Sequence, residues 1–116
     1  MKKVYFATPV NGRKEPTERA KKVAALQRCV EFRTKMKDIH PDWAVTFSFN
    51  VCPIGQELDE PEAMGRCVEL LMRCDALVLD DGWMGSAGCS VERSVAVNYG
   101  LKIVTNEMCM LRNVEL

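Results

Sequence analysis

The chain has 116 residues, a formal net charge of zero, 47% hydrophobic residues and 28% charged residues. This length predicts a single domain over residues 1–116 with a buried core. Without a net charge, the molecule has no strong field that would draw it to a nucleic acid polymer. No segment approaches the ~18 apolar residues that cross a membrane. The sequence therefore predicts neither a nucleic acid polymer nor a membrane as a partner.

The six cysteines and the single histidine bear on metal binding and on the redox compartment. No two cysteines form a CxxC pair, and His40 is the one histidine available, so we expect no metal site. No motif predicts a bound cofactor. Six thiols without a secretion signal are typical of a reducing compartment, which predicts a cytoplasmic protein.

Charge is unevenly distributed along the chain. Residues 13–37 contain nine Lys or Arg and three Glu, whereas residues 50–92 contain nine Asp or Glu and two Arg. The basic stretch has two interpretations. It is either a solvated helix face or a basic wall close to an anionic ligand or a partner subunit.

A strand, a loop and a long amphipathic helix are predicted first. Residues 4–7 are apolar with β-branched and aromatic side chains, as in a strand, and Pro9 ends it by removing a backbone donor. A helix is predicted to begin near Pro16 and Thr17, which suit a first turn and a cap, and to end before Pro41. Its apolar positions recur at helical spacing; they are Ala25, Leu26, Cys29, Val30, Phe32, Met36 and Ile39.

Strands and helices alternate through the rest of the chain. The second helix is predicted to open at Pro61 or Glu62, and the third to end at about Asn98, with Gly100 as its C′ residue. The tail from residue 106 has no clear period, and it packs back, forms a short helix or reaches a neighbour. The predicted strands are residues 43–49, 76–79 and 102–105. The predicted inner face of the second helix is Met64, Cys67, Val68, Leu71 and Cys74.

The resulting β-α-β-α-β-α-β order predicts an open parallel sheet of four to five strands in a flavodoxin-like three-layer α/β sandwich. Ligands of such sheets bind outside the carboxyl ends of the strands, at the switch point of the strand order. The first and third strands are neighbours there, so the loops at residues 8–13 and 80–88 are expected to line one crevice. An uncovered sheet edge predicts a homo-oligomer.

Residues 77–92, LVLDDGWMGSAGCSVE, combine a strand, a carboxylate pair, a Gly-rich turn and a helix start. Two carboxylates at one site can divide glycosidic cleavage between a nucleophile and an acid. We expect Glu92 to lie in the first turn of the helix, where the dipole favours the ionised form of a nucleophile. Asp80 or Asp81 is then the acid, if desolvated. Alternatively, Asp81-Gly82 is an ordinary turn and Glu92 simply complements the helix dipole.

Other catalytic classes lack their motifs. No GxGxxG follows the first strand, and GxxxxGK[ST] and GxSxG are absent, so a dinucleotide site, a P-loop and a nucleophile elbow are not predicted.

The segments VYFATPVNG, CDALVLDDGWMGSAGCSVE and AVNYGLKIV, within residues 4–105, resemble the DUF4406 family. That family is a branch of the nucleoside 2-deoxyribosyltransferase-like superfamily. The resemblance implies a flavodoxin-like fold and an active-site Glu that attacks the sugar C1′, and Glu92 is the matching position. It also implies a Tyr on the first strand that orients the nucleophile. Tyr5 matches it, and its alternative role is that of a core or crevice aromatic.

The resemblance further implies contacts to the substrate. Ser86 matches a position that binds the 5′-phosphate in the deoxynucleotide N-glycosidase relatives, although a Ser there also suits a helix cap. Trp83, expected to be exposed, either stacks on a base or fills a subunit contact. The implied catalytic residues are Glu92, Asp81 and Tyr5. The implied substrate-binding residues are Thr8, Pro9, Asn11, Gly12, Asp80, Gly82, Trp83, Ser86 and Gly88.

One departure from the superfamily pattern affects the predicted function. The superfamily carries a second catalytic Asp on the preceding helix, and Cys67 occupies that place here. Either Asp80 or Asp81 has taken over its role, or the chain has lost the reaction. The sequence therefore predicts cleavage or transfer at the N-glycosidic bond of a deoxynucleoside or its 5′-monophosphate, with that small molecule as the partner. The alternative is a catalytically silent nucleotide-binding domain or an oligomeric interaction domain.

Overall fold

A computed structural model describes residues 1–11 and 13–116, and its centre is a parallel sheet of four strands. Their order is β2-β1-β3-β4, with every neighbouring pair parallel. This confirms the predicted flavodoxin-like α/β sandwich and places β1 beside β3. The strands are β1 (Lys2–Ala7), β2 (Trp43–Phe47), β3 (Ala76–Leu79) and β4 (Lys102–Thr105).

Helices cover both faces of the sheet. The helix between β1 and β2 packs on one face together with the last helix, and the two helices that flank β3 in sequence pack on the other. Single 3-10 turns are found at Ser48–Asn50 and Trp83–Gly85. The helices are α1 (Glu18–Ile39), α2 (Glu60–Met72), α3 (Ala87–Asn98) and α4 (Asn106–Cys109).

The core on the α1 face is built on aromatic stacking. The rings of Phe6 on β1 and Phe32 on α1 lie 4.0 Å apart and nearly parallel. Met36 on α1 and Val78 on β3 are fully buried beside them. The predicted apolar stripe of α1 is thus largely confirmed, but Val30 is wrong, since it is 39% exposed on the outer side of the helix.

The core on the α2 and α3 face joins four elements. Tyr5 from β1 and Leu77 from β3 point to this face, where they pack near Leu71 of α2 and Ala96 of α3. All four side chains are buried. A continuous apolar run such as β3 is typical of a strand covered on both faces, and its predicted limits are confirmed.

Local capping explains where the helices begin. Thr17 accepts a hydrogen bond from the Ala20 amide at 3.1 Å and caps α1, as predicted. Asp59 caps α2 through the Glu62 amide, so this helix starts at Glu60, slightly before the predicted position. Each cap satisfies a backbone donor that has no partner within its helix.

The end of β2 differs from the sequence prediction. Asn50 accepts hydrogen bonds from the Phe47 amide at 2.9 Å and the Thr46 hydroxyl at 2.8 Å. These bonds turn the chain into a 3-10 helix after Phe47, so the strand does not reach residue 49.

The segment after β4 packs back onto the α1 face. Cys109 in α4 is fully buried in that core, and its carbonyl accepts a hydrogen bond from His40 Nε2 at 2.8 Å. The His40 ring also stacks on Trp43 at 3.8 Å. The predicted return of the tail and a short helix are therefore both found. None of the helices that the structure describes combines the length and apolar character needed to cross a membrane.

Candidate functional site

The loops that follow β1 and β3 line one crevice, as their positions in the sheet predict. This space, which we call the Asp81 crevice, has a volume of about 230 Å³. Gly12, which the sequence assigned to the same loop, lies outside the described residues. The described residues that line the crevice are Pro9, Asn11, Arg13, Asp81, Gly82 and Gly85.

A second space, which we call the Cys52 cavity, lies on the other side of the loop after β1. Its volume is about 190 Å³. Pro9 and Asn11 line the Asp81 crevice, whereas Val10 between them lines the Cys52 cavity. The loop therefore separates the two spaces. The Cys52 cavity is lined by Val10, Lys22, Ser48, Phe49, Cys52, Pro53, Gln56, Leu58, Ala63 and Cys67.

Asp80, at the end of β3, is held by four hydrogen bonds. Arg28 of α1 donates Nε to one carboxylate oxygen at 2.9 Å and Nη2 to the other at 2.8 Å. The Thr8 hydroxyl and the Asp81 amide each donate at 2.8 Å. Such a paired arrangement fixes the carboxylate in place and uses most of its acceptor positions.

These bonds decide the protonation of Asp80. Burial alone would raise the pKa of its carboxyl, but the hydrogen bonds from Arg28, Thr8 and the Asp81 amide outweigh burial and lower that pKa below its ordinary value. The hydrogen bond to Asp80 correspondingly raises the pKa of Arg28. A carboxylate that stays ionised does not serve as an acid near neutral pH, so the geometry speaks against the acid role considered for Asp80.

Thr8 and Arg13 extend the same network around the loop. Arg13 donates Nη2 to the Thr8 hydroxyl at 3.2 Å and Nε to the Pro9 carbonyl at 2.7 Å. Thr8 in turn donates to Asp80. The loop is thus tied to the end of β3, with the Arg13 guanidinium on the wall of the Asp81 crevice.

The position of Glu92 corrects the sequence prediction. Helix α3 begins at Ala87, which places Glu92 in the second turn, and its first turn holds no acidic residue. The dipole of a helix acts mainly on its first turn, so it does not keep this carboxyl ionised. Instead the side chain is buried, and burial raises the pKa of Glu92 from 4.5 to about 7.

Tyr5 lies beside Glu92 in the interior. The tyrosine opposes the effect of burial and lowers the pKa of Glu92. Burial and the Glu92 carboxylate raise the pKa of the Tyr5 hydroxyl well above its ordinary value. The hydroxyl nevertheless makes no hydrogen bond of ordinary geometry with any residue that the structure describes. A fully buried hydroxyl without a partner is rare and costly, so this donor is free for a ligand or for Glu92.

Cys67 completes a group that we call the buried cluster: Tyr5, Cys67 and Glu92. Burial, with smaller contributions from Cys52 and Glu92, raises the pKa of the Cys67 thiol to about 12. At neutral pH it is a neutral thiol, which cannot supply the negative charge or proton of a carboxyl group at this position. Cys67 therefore does not supply the acid that the sequence resemblance implies at this position.

Ser86 is the N-cap of α3. Its hydroxyl accepts a hydrogen bond from the Cys89 amide at 3.3 Å, and the residue is 5% exposed. The helix-cap interpretation from the sequence therefore describes its contact within the chain. Gly88 follows in the first turn, where a Cβ would come within 3.8 Å of Met64 on α2.

Trp83 is not exposed as the sequence suggested. It is half-buried and packs against the core on the α2 and α3 face. The Arg93 guanidinium lies 5.4 Å from the centre of its ring, as in a cation–π contact. Stacking of a base on Trp83 would compete with this arginine.

The predicted residues fall into two zones. Asp81 and Asn11 are exposed on the Asp81 crevice, and Gly82 allows its turn by adopting a φ of 80°. Glu92 and Tyr5 lie in the buried cluster. Asp80 is paired with Arg28 and Asp81 lines the crevice, so neither belongs to the buried cluster.

Three site residues were missed from the sequence. Arg28 and Arg13 belong to the basic stretch and turn inward from it, which supports the basic-wall interpretation for these two positions. Most other basic residues of the stretch are exposed, as a solvated face would be. Cys52 contacts Cys67 at 3.9 Å between sulfurs, and no signal in the sequence pairs them. Within residues 1–11 and 13–116, no group of three His, Cys, Asp or Glu side chains is placed to hold a metal ion.

Comparisons with known proteins support the fold. A family model described as "Domain of unknown function (DUF4406)" matches residues 2–105. The structure is similar to the crystal structure of a conserved protein from Enterococcus faecalis V583, with a TM-score of 0.69 and 21% sequence identity. The alignment covers 90% of this chain and 62% of that one, so this chain spans about three-fifths of that protein's length. At this identity the similarity concerns the fold alone. No curated protein matches the chain.

Proposed function

This chain belongs to the DUF4406 family of domains of unknown function, and from the geometry of its site we propose that it cleaves or transfers at the N-glycosidic bond of a deoxynucleoside or deoxynucleoside 5′-monophosphate. The proposal places the family within the nucleoside 2-deoxyribosyltransferase-like superfamily. It is supported by the flavodoxin-like strand order and by the position of Glu92 after the Gly-rich turn.

The buried pairing of Glu92 with Tyr5 carries the proposal. A carboxyl whose pKa is raised to about 7 destabilises the folded protein whenever it is ionised. A buried hydroxyl without a partner adds a further cost. Both groups lower the stability of the folded protein, and they lie side by side close to the carboxyl ends of β1 and β3. Such a destabilising pair is typical of a functional site rather than of a core.

In the proposed reaction the ionised Glu92 carboxylate attacks C1′ of the sugar. The bond from C1′ to the base breaks as the new ester bond forms, and its electron pair leaves with the base. The Tyr5 hydroxyl positions the carboxylate. Water, or a second base in a transfer, then attacks C1′. The bond from C1′ to the Glu92 oxygen breaks, its electron pair returns to the carboxylate, and the product leaves.

The departing base needs a proton, and Asp81 is the remaining candidate donor among the predicted residues. Asp80 is held as an anion by Arg28 and Thr8, and Cys67 is a weak acid in its buried place. Asp81 is exposed on the crevice, so it reaches a base only if the substrate bridges the crevice and the buried cluster.

The crevice offers a 5′-monophosphate one cation, Arg13, alongside one acid, Asp81. The Arg13 guanidinium lines this space and is anchored by Thr8 and the Pro9 carbonyl. A fixed guanidinium is a good partner for a phosphate. We therefore propose a small-molecule nucleotide or nucleoside as the partner.

Release of free base tests the proposal. The protein is incubated with each of the four deoxynucleoside monophosphates and the four deoxynucleosides, and free base is followed by chromatography. Base release by the wild type that is lost in Glu92→Gln supports the proposal. The matched control Glu69→Gln alters an exposed glutamate on α2 and should retain activity. No release from any substrate, or equal release by Glu92→Gln, would contradict it.

A second function, binding of a nucleotide without turnover, is favoured by one observation. Two of the positions considered for assisting base departure hold no free acid, because residue 67 is a cysteine and Asp80 is ion-paired with Arg28. Such a module would show a nucleotide-dependent rise in melting temperature with no release of base. Arg13→Gln should abolish that rise if the crevice holds the phosphate.

We also propose that the protein assembles as a homo-oligomer. The edge strands β2 and β4 have one open side each in the isolated chain. Val97 and Tyr99 near the end of α3 are 54% and 67% exposed. Light scattering after size-exclusion chromatography measures the mass in solution, and a monomer at micromolar concentration would contradict this proposal.

A further inference from the structure

Two cysteine side chains from different elements meet at the edge of the buried cluster, of which Cys67 is a member. The sulfur of Cys52, in the loop between β2 and α2, lies 3.9 Å from the sulfur of Cys67, in the middle of α2. Cys52 also donates to the Ala63 carbonyl of α2 at 3.6 Å. Arg66 of α2 donates to the Val51 carbonyl at 3.1 Å and to the Gln56 side chain at 3.4 Å, so the loop is held against α2 on both sides of Cys52.

The two thiols differ in their access to solvent. Cys52 is half-buried and lines the Cys52 cavity, whereas Cys67 is 9% exposed and forms part of its inner wall. The cavity, at about 190 Å³, is large enough to admit a small oxidant. Among the described residues, no other two cysteine sulfurs are found in mutual contact, and the other four cysteines are buried.

We propose that Cys52 and Cys67 form a reversible disulfide when the protein meets a peroxide, and that this bond is a redox modification site next to Glu92. A disulfide needs the sulfurs to approach to about 2.05 Å. Cys67 is fixed within α2, so most of the movement falls to Cys52. Its loop follows the 3-10 turn Ser48–Asn50 and precedes the cap of α2 at Asp59. The Cys52 amide donates to the Ser48 carbonyl at 2.9 Å, so closing the bond calls on rotation of the Cys52 side chain and on the loop after it.

The chemistry balances with hydrogen peroxide as the oxidant. The Cys52 thiol releases its proton, its thiolate attacks one peroxide oxygen and the O–O bond breaks. A sulfenic acid and hydroxide form, and the hydroxide takes up the released proton as the first water. The Cys67 sulfur then attacks the Cys52 sulfur and expels the oxygen, which leaves as water with the Cys67 proton. Two thiols are oxidised by two electrons, and one peroxide is reduced to two waters. A dithiol reductant reverses the change by exchange.

The disulfide would change the surroundings of the site. Cys67 contributes to the environment of Tyr5, and Glu92 influences the Cys67 thiol. Oxidation removes the thiol proton from this cluster and draws the loop onto α2, which narrows the Cys52 cavity. We therefore expect at least a fivefold lower rate of base release in the oxidised protein. This expectation rests on the proposed function, whereas formation of the disulfide does not.

Peptide mapping tests the bond directly. The folded protein is treated with a few equivalents of hydrogen peroxide, quenched with acid and N-ethylmaleimide, and digested with trypsin without reduction. Cleavage after Lys37, Arg66 and Arg73 separates the two cysteines into peptides 38–66 and 67–73. The proposal expects these two peptides to be joined, and to separate again after treatment with dithiothreitol.

Variants and alternative products decide the outcome. The joined peptides should be lost in Cys52→Ser and retained in the matched control Cys74→Ser, which alters the cysteine just after α2. If Cys52→Ser does not fold, the wild-type map alone decides. Sulfinic acid on Cys52 without a joined peptide, a link to any other cysteine, or a link between two chains on a non-reducing gel would overturn the proposal. If the bond forms but base release is absent before and after oxidation, the proposed function fails and the redox site stands.

Discussion

Arg28 on α1 binds Asp80 at the end of β3 through both oxygens of its carboxylate, at 2.9 and 2.8 Å. The pair joins the α1 layer to the edge of the sheet where the loops begin. Its side chains are 27% and 5% exposed, so solvent screens the contact only in part.

Asp80→Asn should therefore destabilise the protein by about 2–3 kcal/mol, because it leaves the guanidinium without its anionic partner. Urea denaturation at pH 7 measures the change. Glu62→Gln breaks an exposed pair with Arg66 on α2 and should cost at most about 0.5 kcal/mol. Equal effects of the two variants would show that Asp80 is not a structural anchor.

Glu92→Gln should stabilise the protein at pH 8. Burial raises the pKa of Glu92 from 4.5 to about 7, so the folded state holds its proton more tightly than the unfolded state. Stability is therefore lost as pH rises from about 4.5 to about 7, up to about 3 kcal/mol. Melting temperatures of wild type and variant should diverge over this window and stay apart above it. A pH-independent difference would contradict the raised pKa.

Tyr5→Phe should show whether the Tyr5 hydroxyl acts on Glu92 or whether the residue only fills the core. The variant removes a buried hydroxyl that lacks a partner, so stability should be unchanged or should rise by about 1 kcal/mol. Base release by the wild type should increase with pH through about 7, since the nucleophile must be ionised. Because Tyr5 lowers the pKa of Glu92, that increase should move to higher pH in Tyr5→Phe. An unshifted pH profile would assign Tyr5 to the core alone.

Two substitutions of Ser86 should distinguish its roles. Ser86→Ala loses the cap on the Cys89 amide and should cost about 1 kcal/mol. Ser86→Asp retains a capping oxygen but adds a negative charge, which should lower kcat/KM for monophosphates by tenfold or more relative to nucleosides. If the ratio of the two substrates is unchanged in Ser86→Asp, the phosphate does not bind near this residue.

Substitution by alanine should lower the free energy of unfolding at Gly82 and raise it at Gly65. Gly82 has a φ of 80°, and an added Cβ would meet only Pro9 at 3.9 Å, so Gly82→Ala should cost about 1 kcal/mol through backbone strain alone. Gly65 lies within α2 with open space around it, so Gly65→Ala should gain up to about 1 kcal/mol. Thermal denaturation of both variants measures the contrast.

The local sequence pattern was sufficient to predict much of the fold, but it was not sufficient to predict the contacts of the candidate site. The limits of β3 and β4 follow from apolar runs bounded by turn residues, and they match the prediction. The pairing of Arg28 with Asp80 joins positions 52 residues apart, and no local spacing indicates it. The burial of Glu92 likewise depends on Tyr5 and Cys67, which other elements supply. An acid near a Gly-rich turn could be recognised, but its protonation is set by tertiary contacts.

The packing of Cys109 into the core on the α1 face places the limit of the folded domain beyond the end of the family match. The family match ends at residue 105, yet the fully buried Cys109 and the half-buried Met110 and Val114 belong to the core on the α1 face. A recombinant fragment cut at the family limit would expose that apolar surface to water. Expression trials, fusions and domain grafts with this protein should therefore take their borders from the packed core, beyond the matched region.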